Sequence, residues 1–187
     1  MRSKSIISIL FISLLLASSA VCLAEDAANS KSANLVVPKE NLPEGFKLIA
    51  ALPEMDPHVN MTDYIKNFYG AKDIGKTNTS VGIYQWGKPG ESYDAKITLL
   101  QLQDEMFAES AYLNYMSQPE FQTPPFRGVD RFSSAIINGH NTTEIRKNVG
   151  GTGLRYLYLW KNGSIVVLVE GNDNNGKSRD LASATGL

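Results

Sequence analysis

The chain reads as an α+β domain whose mostly antiparallel β-sheet is built from hairpins and packed by two or three helices. Three observations predict it. Asn138-Gly139 and Asn162-Gly163 each lie between strand-like runs, and Asn-Gly supplies the positive φ values of a tight hairpin turn. Asp94 to Leu102 alternates, with Ala95, Ile97 and Leu99 facing one way and Asp94, Lys96 and Thr98 the other, the mark of a half-buried strand. Asp104 to Met116 carries Phe107, Ala111 and Tyr115 at helical spacing.

Residues 1–24 open with Arg2 and Lys4. They run through an apolar stretch from Ile6 to Ala17 and end in small residues before Glu25-Asp26. This is the layout of a secretory signal peptide cleaved after Ala24. Two other readings stay open. Cleavage before Cys22, the one cysteine, would leave that residue as a lipidated N-terminus, although Val21 is larger than the residue that usually precedes such a cysteine. An uncleaved Ile6–Ala24 segment of 19 residues would serve as an anchor, because about 20 apolar residues span a bilayer. The membrane is then met through this segment alone. Glu25 to Ala33 reads as a flexible tether. Residues 34–187 are enough for a single domain with its own core.

Within the domain, a short helix is predicted over Met61–Phe68, with Tyr64, Ile65 and Phe68 inward. Val81–Trp86 pairs with Asp94–Leu102 across a Gly-Pro-Gly loop. The helix Asp104–Met116 follows, with Asp104 and Glu105 at its positive N-terminal end. Phe132–Ile137 pairs with Asn141–Arg146, and Arg155–Trp160 with Ser164–Glu170. Ile165 to Val169 is apolar on both faces, so it belongs at the centre of the sheet with cover on both sides. The helix Asp104–Met116 is the expected cover over Tyr156, Tyr158 and Trp160. A last helix is predicted over Lys177–Ala184.

Charge narrows the partners. Residues 1–24 hold two cations and no acid, so 16 basic and 19 acidic side chains remain beyond them, a net charge of −3. With no basic block, nucleic acid and anionic membrane surfaces are unsuitable partners.

The motifs divide into tempting and plain. Gly171 to Ser178 (GNDNNGKS) matches a phosphate-binding P-loop letter for letter. Only nine residues follow Ser178, too few for the parallel strand that would complete a nucleotide site, and Asp173 would set a carboxylate against phosphate. The string reads as a polar turn that starts a helix. Its spacing also fails the EF-hand pattern, since Ala182 stands where the bidentate Glu would be. Glu54, Asp56 and His58 alternate, but Pro53 and Pro57 break the segment and zinc sites usually gather several His or Cys. No metal or other cofactor is expected. His140 follows a turn, and no nucleophile motif accompanies it. Gly150 to Gly153 reads as a β-connection.

Aromatics carry the main candidate site. Tyr156, Tyr158 and Trp160 share one strand face, and Tyr84 and Trp86 share another. Core packing is the plainer reading; a ligand platform is the functional one. Asn60, Asn78, Asn141 and Asn162 head Asn-x-Ser/Thr sequons open to glycosylation in an exported chain.

LPEGFKLIA, RFSSAIINGHNTTEIR, YLYLWKNGSIVVLVEGN and the ending LASATGL resemble a group of uncharacterised secreted archaeal cell-surface proteins. The resemblance covers most of residues 42–187. It implies export and a surface setting, and it brings no activity or catalytic residues. The expected function is an exported, non-catalytic cell-surface or extracellular binding module for an envelope component or small ligand. The alternative is an extracytoplasmic hydrolase with a dispersed site near His58 or His140.

Overall fold

Among the described residues, seven strands form one antiparallel sheet in the order β1-β2-β3-β7-β6-β5-β4. They are β1 (Phe46–Leu52), β2 (Asn78–Trp86), β3 (Tyr93–Gln101), β4 (Phe132–Ile137), β5 (His140–Asn148), β6 (Leu154–Asn162) and β7 (Ile165–Glu170). Among the described residues, three helices join them: α1 (Met61–Ile65), continued by a 3-10 turn at Lys66–Phe68, α2 (Glu105–Met116) and α3 (Asn175–Ser183). The computed structural model describes residues 35–87, 93–151 and 153–187. The signal segment with Cys22, the tether 25–33, Lys88 to Gly90 of the Gly-Pro-Gly loop, and Thr152 lie outside them. Among the described residues, no helix is long and apolar enough to cross a membrane.

The sheet consists of two meanders, β1–β3 and β4–β7, closed where β7 pairs antiparallel with β3. That closure puts β7 in the middle. Val166, Val167, Leu168 and Val169 are all buried there, as a strand apolar on both faces requires. Strand β1 is absent from the sequence reading. A register shift between Leu48 and Ala50 breaks its alternation, which hides the period.

The two Asn-Gly hairpins turn differently. Between β4 and β5 both Asn138 and Gly139 have positive φ, 49° and 84°, the pattern of a type I′ turn. Between β6 and β7 the register closes on Asn162 opposite Ile165, so the loop is Gly163-Ser164. Only Gly163 has positive φ, 56°, as type II′ requires. Asn162 is therefore the last residue of β6 and does not form the centre of the turn. Lys161 pairs with Val166 and carries the ladder past the expected end at Trp160.

Strand alternation divides the core in two. Tyr84, Ala95, Ile97, Leu99, Tyr158, Trp160, Val167 and Val169 pack on one face with Leu181 and Ala182 of α3 and with Leu35 and Val37. Leu100, Leu157, Leu159, Val166 and Leu168 pack on the other with Ala108, Ala111 and Tyr115 of α2 and with Ile65 and Phe68. The expected position of α2 over Tyr156, Tyr158 and Trp160 is thus corrected. Odd-numbered residues of β6 meet α2, and the even-numbered aromatics meet α3 and the Leu35–Val37 segment. Side chains inside α2 and at its N-cap fix it. Asp104 Oδ1 accepts from the amides of Met106 and Phe107 at 2.8 and 2.9 Å. Buried Asn114 donates to the carbonyls of Phe68 and Lys72 at 3.0 and 2.8 Å and accepts from the Lys72 amide at 3.1 Å.

The face under Leu35–Val37 depends on one glycine. The Tyr84 hydroxyl donates to the Pro38 carbonyl at 2.7 Å. To do so its ring lies over Gly82, where an added Cβ would come within 2.5 Å of the Tyr84 Oη. Gly82→Ala should therefore lose about 1–3 kcal/mol through forced displacement of a packed ring. Urea unfolding of the two proteins measures this, and an unchanged midpoint would show that the ring does not need that space.

Candidate functional site

The aromatic pairs do not form an open platform. Tyr84, Tyr158 and Trp160 are buried, with relative exposures of 0, 0 and 1%. Trp86 and Tyr156 are half-buried and pack against the same core. Desolvation by burial pushes the phenol pKa of Tyr84 and of Tyr158 upward, with the charge of Glu144 adding to the shift at Tyr158. The spacing grouped the five residues only within each strand, and the sheet brings all five to one face. The seat a ligand would take is filled by α3, Leu35 and Val37.

Beneath α3 lies a polar cluster that the sequence reading did not foresee. The buried Glu144 of β5 accepts at one oxygen from Arg146 (2.8 Å) and the Ser133 hydroxyl (3.1 Å). At the other it accepts from Asn175 Nδ2 (2.9 Å) and the Tyr158 hydroxyl (3.3 Å). Burial alone would raise its pKa. The hydrogen bonds from Asn175 and Ser133, the Arg146 charge and the Tyr158 hydroxyl outweigh burial and lower it. A general base needs a pKa near working pH. This carboxylate is instead an anchor that ties the start of α3 to β4, β5 and β6. The partners come from distant positions, which is why no motif announced them.

The P-loop-like string is wired to itself. Asn172 and Ser178 are fully buried. The Ser178 hydroxyl accepts from the Asn172 amide at 2.8 Å and donates to the Asn174 carbonyl at 2.8 Å. Asn174 Oδ1 caps α3 through the Lys177 amide at 3.0 Å. A Cβ on Gly171 would sit 2.2 Å from the Ser178 Oγ, so glycine is required because α3 folds straight back onto the end of β7. Lys177 reaches Glu44 at 3.6 Å. The string is a strand-to-helix joint.

Glu54, Asp56 and His58 do not converge: no cluster of three metal-ligating side chains occurs among the described residues. Glu54 pairs with Lys39, and Asp56 Oδ1 accepts from the His58 backbone amide at 3.1 Å. His58 is exposed, and His140 is half-buried at the opening of β5. Of the sequon residues, Asn60, Asn78 and Asn141 are exposed and Asn162 is half-buried. Asn60 also caps α1 through the Thr62 amide at 3.1 Å.

A groove of about 430 Å³ lies open beside strand β1. Leu35–Val37 forms one wall. Leu52, Pro53, Glu54 and Pro57 form the other, and Asn78, Thr79 and Ser80 at the start of β2 close the end. The Ser80 hydroxyl donates to the Leu35 carbonyl and pins that wall. The lining joins aliphatic side chains to a rim of carboxylate, amide and hydroxyl groups. Sequence reasoning had seen Glu54 only as a metal ligand and Asn78 only as a sequon. The apolar triplet Leu35-Val36-Val37 ahead of Pro38 was the unused signal. A second pocket of about 180 Å³ lies between Ile83, Lys96, Arg155 and Glu170. Lys96 and Glu170 pair across it at 2.5 Å.

Comparison with family models, with curated proteins and with solved structures finds no match for this chain.

Two outcomes follow from this placement. Tyr158→Ala should cost about 3–5 kcal/mol, as buried aromatic truncations do; a thermal melt matching the wild type would return this residue to the list of ligand contacts. Glu144 has a folded pKa below its ordinary 4.5. Its contribution is therefore complete above that value and is lost as pH falls through the lower, folded one. Glu144→Gln should be less stable at neutral pH by about 1–3 kcal/mol, since donors are left facing an amide. Its stability should also fall less steeply with acid than that of the wild type. Denaturant midpoints between neutrality and pH about 2 test this, and parallel acid limbs would remove the anchor role.

Proposed function

We propose that this chain is an exported, non-catalytic binding module of the cell surface or extracellular space, and that it holds its ligand in the groove beside Leu35–Val37. The observation that carries the reading is the groove itself. Its volume of about 430 Å³ falls in the range of small-ligand sites, about 300–1,000 Å³. Apolar walls suit a ligand with an aliphatic body. Glu54, Asn78 and Thr79 on the rim suit a head rich in hydrogen-bond donors, such as an amine or a polyol. Support for a non-catalytic role comes from the hydrogen bonding. The one serine in the groove, Ser80, commits its hydroxyl to the Leu35 carbonyl, and neither histidine lines the groove. Export rests on the layout of residues 1–24.

Amide NMR spectra, recorded during titration with a panel of alkyl amines, short apolar peptides and small sugars, test the site. Shifts should gather on Leu35–Val37, Leu52–Glu54 and Asn78–Ser80, and should vanish in Asn78→Trp, which fills the groove from its exposed rim. Assays of the same protein against esters, peptides and glycosides should show no turnover. Hydrolysis abolished by His58→Ala or His140→Ala would replace this reading with the hydrolase. Shifts centred elsewhere would leave the groove without a role.

A further inference from the structure

The two edges of the sheet are built differently. Strand β1 carries three devices that discourage pairing with another strand. Its ladder is broken by the shift between Leu48 and Ala50, Lys47 is exposed on it, and Pro53 follows its last residue. Strand β4 carries none of them. Its sequence, Phe-Ser-Ser-Ala-Ile-Ile, has no charge and no proline, and its register with β5 runs unbroken from Phe132 opposite Ile145 to Ile137 opposite His140.

The alternation of an antiparallel ladder fixes which backbone groups of β4 point away from the sheet. Ile137 and His140 flank the turn as a bonded pair, and the Arg146 amide donates to the Arg131 carbonyl at 2.9 Å. The outward set is therefore Phe132, Ser134 and Ile136. Among the described residues, one bond engages that set: Arg179 donates to the Ile136 carbonyl at 3.1 Å. The side chains of the same three residues lie on the face covered elsewhere by α2. They are exposed there, Phe132 at 36% and Ile136 at 62%.

We propose that β4 is a self-pairing edge, through which a second copy of this chain adds antiparallel and makes one continuous sheet across a two-fold axis at Ser134. The pattern of β4 is complementary to itself about that residue. A two-fold axis there sets Phe132 of each copy against Ile136 of the other, an aromatic with a β-branched partner across the strands, with serine facing serine between them. Every outward amide then meets an outward carbonyl, and Arg179 gives up its surface contact with Ile136. No like charges are brought face to face within the strand. An isologous contact of this kind closes on itself and ends at a dimer. The guarded β1 edge then closes both ends of the joined sheet.

Sedimentation velocity and light scattering of the purified protein over a dilution series test this. The expected result is a dimer whose mass falls two-fold in Ser134→Pro, which removes the central outward N–H at a position where an edge strand tolerates proline. Ile136→Lys should do the same while leaving the backbone intact, and it decides the matter if the proline variant fails to fold by circular dichroism. A monomer at every concentration overturns the proposal. So does a dimer that survives Ile136→Lys, or a monomer that instead takes up an unlike extended peptide along β4.

Discussion

A strand with no polar side cannot rest against water on either face. β7 is such a strand, with Val166 and Leu168 turned to one side and Val167 and Val169 to the other, all buried. The rest of the fold answers that demand. The chain must supply a layer for each face, and it does so at different points in its length. The crossing from β3 to β4 passes through α2 and covers one face. The C-terminal α3, helped by the extended Leu35–Val37, covers the other. Pairing β7 with β3 then joins the two meanders, because only the middle of a sheet offers neighbours on both sides.

Laying elements so closely over a sheet creates polar debts at their ends, and the buried polar groups are placed where those arise. Asn114 satisfies backbone between Phe68 and Lys72. Ser178 bonds the Asn172 amide and the Asn174 carbonyl in the joint between β7 and α3. Glu144 receives the start of α3 through Asn175. Buried polar atoms cost little when bonded and much when not, so each cluster acts as a clasp. The same clusters look chemical when read singly. Ser178 stands in a P-loop-like string and Glu144 is a buried acid, yet both have their lone pairs and protons committed within the protein.

What was legible in the sequence follows from the range of the interaction. Turn glycines, the cap at Asp104, the period of α2 and the doubly apolar β7 are local, and the fold class rests on them. β1 was hidden by its own bulge, because a register shift erases the alternation that marks a strand. The side on which α2 packs was equally hidden, since parity along β6 says that Tyr158 and Leu157 part company but not which of them meets which helix. The aromatics were grouped rightly by face and wrongly by neighbour. The groove escaped for a further reason: its walls come from three separate stretches, Leu35–Val37, Leu52–Pro57 and Asn78–Ser80, and no one of them has a pattern of its own.

The groove lies where the covering layer is thinnest. α3 is a hydrogen-bonded helix that shields the β6 and β7 side of its face with whole turns. The β1 and β2 side is shielded by an extended segment with no ladder, tied down by side chains of the sheet: the Ser80 hydroxyl to Leu35 and the Tyr84 hydroxyl to Pro38. Alternate residues of that segment, Leu35 and Val37, fill the core, while Val36 between them is 54% exposed. One strand's width of cover cannot close the seam against the turn that follows β1, and the seam is the groove. Its shape thus depends on two hydroxyls and on the glycine that lets the Tyr84 ring lie flat. Loss of either tie would widen or erase the groove while leaving the opposite core, on the α2 side of the sheet, in place.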